Sequence, residues 1–189
     1  KLAQGKNEIF SAFLQGEPAT HTEVGLPIGA FYGYQVEGIF QNAEEIASSA
    51  TIGGEKPGDL KFKDIDANGV IDEDDRVYLG SPIPTLTYGF SFNCDYKGFD
   101  FSADLLGVSG NKVYNSKETF RFAVYNWEQH VADAWTVDNP STTEPRVTNG
   151  GHNYRVSDRF LQDGSFLRLR TLSLGYTLPQ SICEKIKIG

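Results

Sequence analysis

The sequence has no methionine, three histidines and only two cysteines among its 189 residues. Cys94 and Cys183 lie far apart, with no C-x-x-C spacing and no neighbouring histidines, so neither a zinc site nor a disulfide framework is indicated. No run approaches the roughly 18 consecutive apolar residues of a membrane helix, a test that barrel strands escape. Basic residues are scarce too: 17 Lys and Arg face 25 Asp and Glu, for a net charge of −8. Nucleic-acid binders concentrate Lys and Arg against phosphate, so nucleic acid is excluded as a partner. His21, His130 and His152 have no partnered Ser or Cys and no H-E-x-x-H spacing; they are expected at the surface, and no enzyme is expected. A carboxylate pair such as Asp104 and Asp163 has no spacing that marks it as glycosidase acids. The chain opens Lys1-Leu2-Ala3, without Met or a signal-like apolar stretch, and reads as an excerpt or processed product.

What the chain does have is 20 Gly, 13 Phe and 9 Tyr, an aromatic apolar content that favours β structure. From Leu86 to Tyr96 every even position is apolar or aromatic and every odd one is small or polar, the period-two signature of a strand. Lys97-Gly98 follows, and Phe99 to Leu105 alternates again in the phase of a two-residue hairpin. The implied register sets Tyr96 against Phe99, Cys94 against Phe101, Phe92 against Ala103 and Phe90 against Leu105 on one face. The other face pairs Asn93 with Ser102, Ser91 with Asp104, and Asp95 with Asp100, a like-charge pair that costs something unless screened.

A third strand is expected over Ser165 to Leu178, stopped by Pro179. Leu172, Leu174, Tyr176 and Leu178 take one side, and Arg168 and Arg170 interrupt that apolar face near its start. The intervening residues 110–164 read as a long loop with a short helix near Lys117 to Asp133 and a Pro/Thr/Asn-rich stretch from Val137 to Gly151. Upstream, Ile28 to Phe40 is expected to hold one strand and a bend, and Asn42 to Ala50 a short helix.

One segment carries recognisable chemistry. Asp64-Ile-Asp-Ala-Asn-Gly-Val-Ile-Asp-Glu-Asp-Asp75 has oxygen ligands at loop positions 1, 3 and 5, Gly69 at 6, an apolar residue at 8 and a carboxylate at 12. Asp64, Asp66, Asn68, the Val70 carbonyl and Asp75 suit Ca²⁺, with Asp72 acting directly or through water. Position 12 is Asp where the EF-hand has a bidentate Glu, as in dockerin-type loops, and Pro57-Gly58 with the extended Leu60 to Lys63 rules out flanking helices. The competing reading is an acidic solvated turn, but six carboxylates in twelve residues repel one another without a cation.

Gly58 to Arg76, followed by Gly80-Ser-Pro-Ile-Pro84 and Thr87-Tyr-Gly-Phe90, resembles the carboxy-terminal region of SusC/RagA transporters. Pro27 to Tyr34, Gly38-Ile-Phe-Gln41 and Asp163 to Pro179 agree with the same family. The resemblance implies an all-β fold: antiparallel strands of an outer-membrane β-barrel, with long extracellular loops, one EF-hand-like calcium loop and short helical segments. It also implies import of glycan, oligosaccharide or peptide nutrients with a SusD-like lipoprotein, energised by TonB through parts not in this chain. Within a partial carboxy-terminal barrel region, residues 57–80 are then the calcium loop, 86–109 a hairpin with a periplasmic turn, 110–164 a long extracellular loop and 165–179 a strand. Tyr125, Trp127, Trp135 and Tyr154 of the long loop are candidates for stacking on sugar rings, with loop packing as the commoner role of such aromatics. The alternative is a secreted or surface calcium-dependent β domain that binds glycan or protein.

Overall fold

A computed structural model describes residues 13–14, 17–120, 127–180, 182 and 184; Tyr125 and Cys183 fall outside them. Two compact units share the chain, one built from residues 1–83 and 112–163, the other from 84–111 and 164–189. The strands, in chain order, are β1 (Phe13–Leu14), β2 (Glu17–Pro18), β3 (Thr20–His21), β4 (Ala30–Gly33), β5 (Val36–Ile39), β6 (Leu60–Phe62), β7 (Val77–Gly80), β8 (Leu86–Tyr96), β9 (Phe99–Ser109), β10 (Lys112–Tyr114), β11 (Leu161–Asp163) and β12 (Phe166–Tyr176).

The second unit is an antiparallel sheet in the order β12-β9-β8, each strand 11 residues long. Its hairpin has the register that the alternation implies, from Tyr96↔Phe99 through Cys94↔Phe101 and Phe90↔Leu105 to Leu86↔Ser109. Lys97 and Gly98 both have positive φ, 50° and 87°, the type I′ geometry whose twist matches the flanking strands. Asp95 does face Asp100. A Cβ on Gly175 would lie 2.6 Å from Asp100 Cγ, so the Asp100 carboxyl occupies the space over that glycine on the neighbouring strand.

In β12 the structure corrects the sequence reading. A β-bulge between Leu169 and Thr171 shifts the register, so Leu167 and Leu169 share a face with Leu172, Leu174 and Tyr176. Arg168 pairs across from Leu106 on the opposite face, and Arg170 is the extra residue of the bulge. The apolar face is therefore continuous across all three strands. It is also open among the described residues, with Phe90 62% and Leu174 73% exposed.

The first unit holds the core. Tyr34, Ile39, Leu60, Phe62, Ile71 and Trp135 are buried together, backed by Val36, Ala50 and Ile52. The unit's small antiparallel pairings are β3-β4-β7, β5-β6 and β10-β11, and β5-β6 carries Ile39, Leu60 and Phe62 of this core. Where one strand and a bend were expected over Ile28 to Phe40, two strands form, β4 and β5, because Tyr34 leaves the first to bridge Ser157. Helix α1 (Ala43–Ser48) is capped by Asn42, whose side chain accepts from the Glu45 amide. The described residues of 110–164, expected as a loop, include β10, α2 (Ser116–Phe120), β11 and 3₁₀ turns at Gln129–Asp133, His152–Tyr154 and Asp158–Phe160 in this unit.

A buried polar network ties the long segment to the body. Asp59, 2% exposed, accepts from Arg146 Nε at 2.7 Å and Nη2 at 3.0 Å, from Asn153 Nδ2 at 3.1 Å and from the Lys56 amide at 2.8 Å. Asn153 in turn accepts from the Leu60 amide at 2.8 Å, and the Arg146 amide donates to the Gly58 carbonyl at 2.8 Å. A buried carboxylate is tolerable because its four donors, two from Arg146, one from Asn153 and one from the Lys56 amide, satisfy both of its oxygens.

Candidate metal loop and ligand cleft

The acidic loop runs from β6 to β7 without helical flanks, as Pro57-Gly58 and the extended Leu60 to Lys63 imply. It is held at its centre and its end. Ile71 sits in the core and its amide donates to the Thr51 carbonyl at 3.1 Å. Asp75, fully buried, accepts from the Ile65 amide at 2.6 Å and the Asp72 amide at 2.9 Å, closing a capping box on the 3₁₀ turn Glu73–Asp75. Arg76 follows directly: it is 3% exposed, donates to the Pro18 and Tyr32 carbonyls, and lies over the Tyr32 ring at 5.3 Å.

Within this frame the oxygens turn inward. The Gly69 amide donates to Asp64 at 2.8 Å, the Asn68 amide to Asp66 at 3.1 Å and the Val70 amide to Asn68 Oδ1 at 2.8 Å. Carboxylate oxygens of Asp64, Asp66 and Asp75 come within 4.8 Å of one another. Two oxygens on one Ca²⁺, each at about 2.3–2.6 Å, are separated by no more than about 5 Å, so one ion can reach all three. Asp64 Oδ1 is buried with no hydrogen-bond partner, which is where a cation would be needed. The Gly69 amide holds the Asp64 carboxyl below its ordinary range, whereas partial desolvation, with Asp64 and Asp75 nearby, pushes Asp66 up. Asp72 sits at the edge, with its side chain accepting from the Asp74 amide at 2.9 Å. Asp75 differs from a bidentate EF-hand Glu in that both its oxygens already accept backbone amides.

The candidate aromatics separate. Trp127 and Tyr154 line one small cleft with Glu118, His130, Glu144 and Arg159. Trp135 is a core residue, 9% exposed; its indole N–H donates to Gln41 at 3.0 Å and its ring packs on Gly58, which leaves no face open to a sugar. The cleft's charged residues were missed in the sequence because Glu118, His130, Glu144 and Arg159 follow no motif spacing and meet only through the fold. The histidines are partly exposed and paired with carboxylates: His130, its side chain 40% exposed, lies 3.2 Å from Glu144, and His152 lies 2.9 Å from a Glu55 side chain that is 3% exposed.

The fold is thus that of a β-rich protein in which one two-faced sheet accompanies a unit made of connecting segments. No family model matches the chain. Over 172 residues it is 35% identical to TonB-dependent receptor P26 of Formosa agariphila, covering 88% of this chain and 17% of that protein. Over 177 residues it is 28% identical to the TonB-dependent receptor SusC of Bacteroides thetaiotaomicron, covering 94% of this chain and 15% of that receptor. A solved structure of the RagAB peptide transporter superposes with a TM-score of 0.65 at 25% identity, over 87% of this chain and 18% of the other. By sequence and by fold the chain is SusC/RagA-like and corresponds to one segment of a TonB-dependent receptor of that type. It spans 17% of the length of the first of these relatives, and all of them are receptors or transporters rather than enzymes.

Proposed function

We propose that the chain supplies barrel wall and surface-loop structure to an outer-membrane importer of oligosaccharides or peptides, energised by TonB and working with a SusD-like lipoprotein. The observation that carries the reading is the β8-β9-β12 sheet. Its 11-residue strands match the 9–11 residues of a bilayer-crossing strand, and they present one unbroken apolar face and an opposite face that is small or polar except for Leu106, Val108 and Phe166 at one end. On this reading Lys97-Gly98 is a periplasmic turn, and the acidic loop and the Trp127–Tyr154 cleft lie outside, where nutrient and lipoprotein arrive. Ca²⁺ bound by Asp64, Asp66, Asn68, the Val70 carbonyl and Asp75, with Asp72 at the edge, stiffens that outer unit. Its role is structural.

The test uses the full-length protein. Recovery in the outer-membrane fraction, with loss of growth on an oligosaccharide or peptide source when the gene is deleted, is expected; recovery in a soluble fraction overturns the reading. Calorimetry with Ca²⁺ is expected to show one saturable equivalent that the Asp64→Ala/Asp66→Ala double variant lacks. Equal binding by both proteins, or none by either, removes calcium from the account.

A further inference from the structure

Asparagine is followed by glycine at two places in the chain, Asn68-Gly69 and Asn149-Gly150. Such a pair is chemically weak, because glycine has no Cβ to shield its amide nitrogen from the side-chain amide carbon of the preceding asparagine. Both asparagines are exposed, so access to water does not separate them. Their hydrogen bonds do.

At the first pair every reacting group is held. The Gly69 amide, which would be the nucleophile, donates to Asp64 Oδ2 at 2.8 Å. Asn68 Oδ1 accepts from the Val70 amide at 2.8 Å, and Asn68 Nδ2 donates to Asp66 Oδ2 at 3.0 Å. Attack there requires the nitrogen to leave a charged acceptor while the side chain leaves two further partners. At the second pair nothing comparable exists among the described residues: neither the Asn149 side chain nor the Gly150 amide makes a hydrogen bond. The nearest tie is from Thr148 Oγ1 to the Gly150 carbonyl at 2.9 Å, which leaves the nitrogen free. Gly150 and Gly151 have φ of 79° and 85°, a conformation that favours glycine and keeps side chains away from that nitrogen.

We propose that Asn149 is a site of spontaneous deamidation and that the bonds of the acidic loop protect Asn68, independently of the importer reading. The Gly150 nitrogen loses its proton and bonds to Asn149 Cγ, the bond from Cγ to Nδ2 breaks, and ammonia leaves, closing a succinimide ring. One water then opens the ring at either carbonyl, giving aspartate or isoaspartate. The sum is amide plus water to acid plus ammonia, with no oxidant or reductant. Either product places a new negative charge between Arg146 and Asn153, the two side chains that hold Asp59. Isoaspartate also lengthens the main chain between them.

The test holds the full-length protein in mildly alkaline buffer and follows each asparagine by peptide mapping with mass spectrometry. Conversion at Asn149 is expected to run at least about tenfold faster than at Asn68, the effect of one hydrogen bond to a charged acceptor. In protein unfolded by urea the two rates are expected to converge. Asp64→Ala frees the Gly69 amide and is expected to quicken conversion at Asn68 about tenfold while leaving Asn149 unchanged. Equal rates in the native protein overturn the assignment, as does a difference that survives unfolding. An Asn68 no faster in Asp64→Ala overturns the protection by the loop.

Discussion

Replacing Arg146 by Ala removes the partner of a buried anion, and the size of the effect follows from what remains around Asp59. The carboxylate is 2% exposed and loses two charge-assisted bonds, at 2.7 and 3.0 Å. Breaking a buried pair in this way costs about 3–5 kcal/mol. Here Asn153 Nδ2 and the Lys56 amide still donate to it, and the Arg146 side chain is 32% exposed, so water reaches part of the gap. We expect about 2–3 kcal/mol, felt as local opening of the junction between residues 56–60 and 146–153. At about 1.4 kcal/mol per factor of ten, native-state hydrogen exchange at the Phe40, Gly58 and Leu60 amides should quicken about 30- to 150-fold. The comparison is Lys61→Ala, which breaks a pair with Glu37, a side chain 54% exposed, and should change exchange less than about fivefold. If the two variants exchange alike at these amides, burial is not what makes the Asp59 network matter.

Two further perturbations test other parts of the account. Gly58→Ala adds a Cβ 2.8 Å from Trp135 Cδ2 at a φ of 90°, whereas Gly54→Ala at 87° meets open space. We expect a loss of about 2–4 kcal/mol for the first against about 1 for the second, read from thermal melts followed by tryptophan fluorescence. Asp158→Asn tests a titration: burial raises the Asp158 carboxyl, although its bond from the Val36 amide at 2.9 Å opposes the shift. An acid raised in the folded state stabilises only while protonated. Relative to the variant, wild type should therefore lose stability as pH climbs from the ordinary carboxylate range, near 3.9, through the raised value. A gap between the two that stays flat or moves the other way with pH refutes the shift.

The hairpin was legible residue by residue, because a period of two with Lys-Gly between the halves admits only one register. The acidic loop was legible in its spacing and its extended flanks, yet not in the burial of Asp75 or the clamp at Arg76. Those depend on Tyr32 and Pro18, which lie more than forty residues away. Residues 110–164 read as a loop because their strands are only three residues long, too short for a period to show. Trp135 read only as a loop aromatic, a candidate for sugar stacking or loop packing, for a related reason. Nothing in its immediate neighbours announces Gly58, the glycine whose missing side chain lets the indole into the core.

The bulge at Arg170 bears most directly on the membrane reading. Read with an unbroken period, Leu172, Leu174 and Tyr176 place Arg168 and Arg170 on their own face, where a lipid contact near mid-bilayer costs about 2–4 kcal/mol for each. Leu167 and Leu169 would then sit on the polar side, exchanging two apolar contacts for two charges. One inserted residue removes both penalties, since the strand keeps pairing with β9 while its side chains change sides. Arg168 then belongs to the face that carries Asp95, Asp100 and Asp104, and its charge offsets part of that acidic row. The signal was present in the sequence as a phase slip: leucines at odd positions 167 and 169, then at even positions 172 and 174. A soluble sandwich also needs one consistent inner face, so the bulge does not by itself require lipid. It does require that something apolar cover this face, and on the proposed reading of the 11-residue strands that cover is the bilayer.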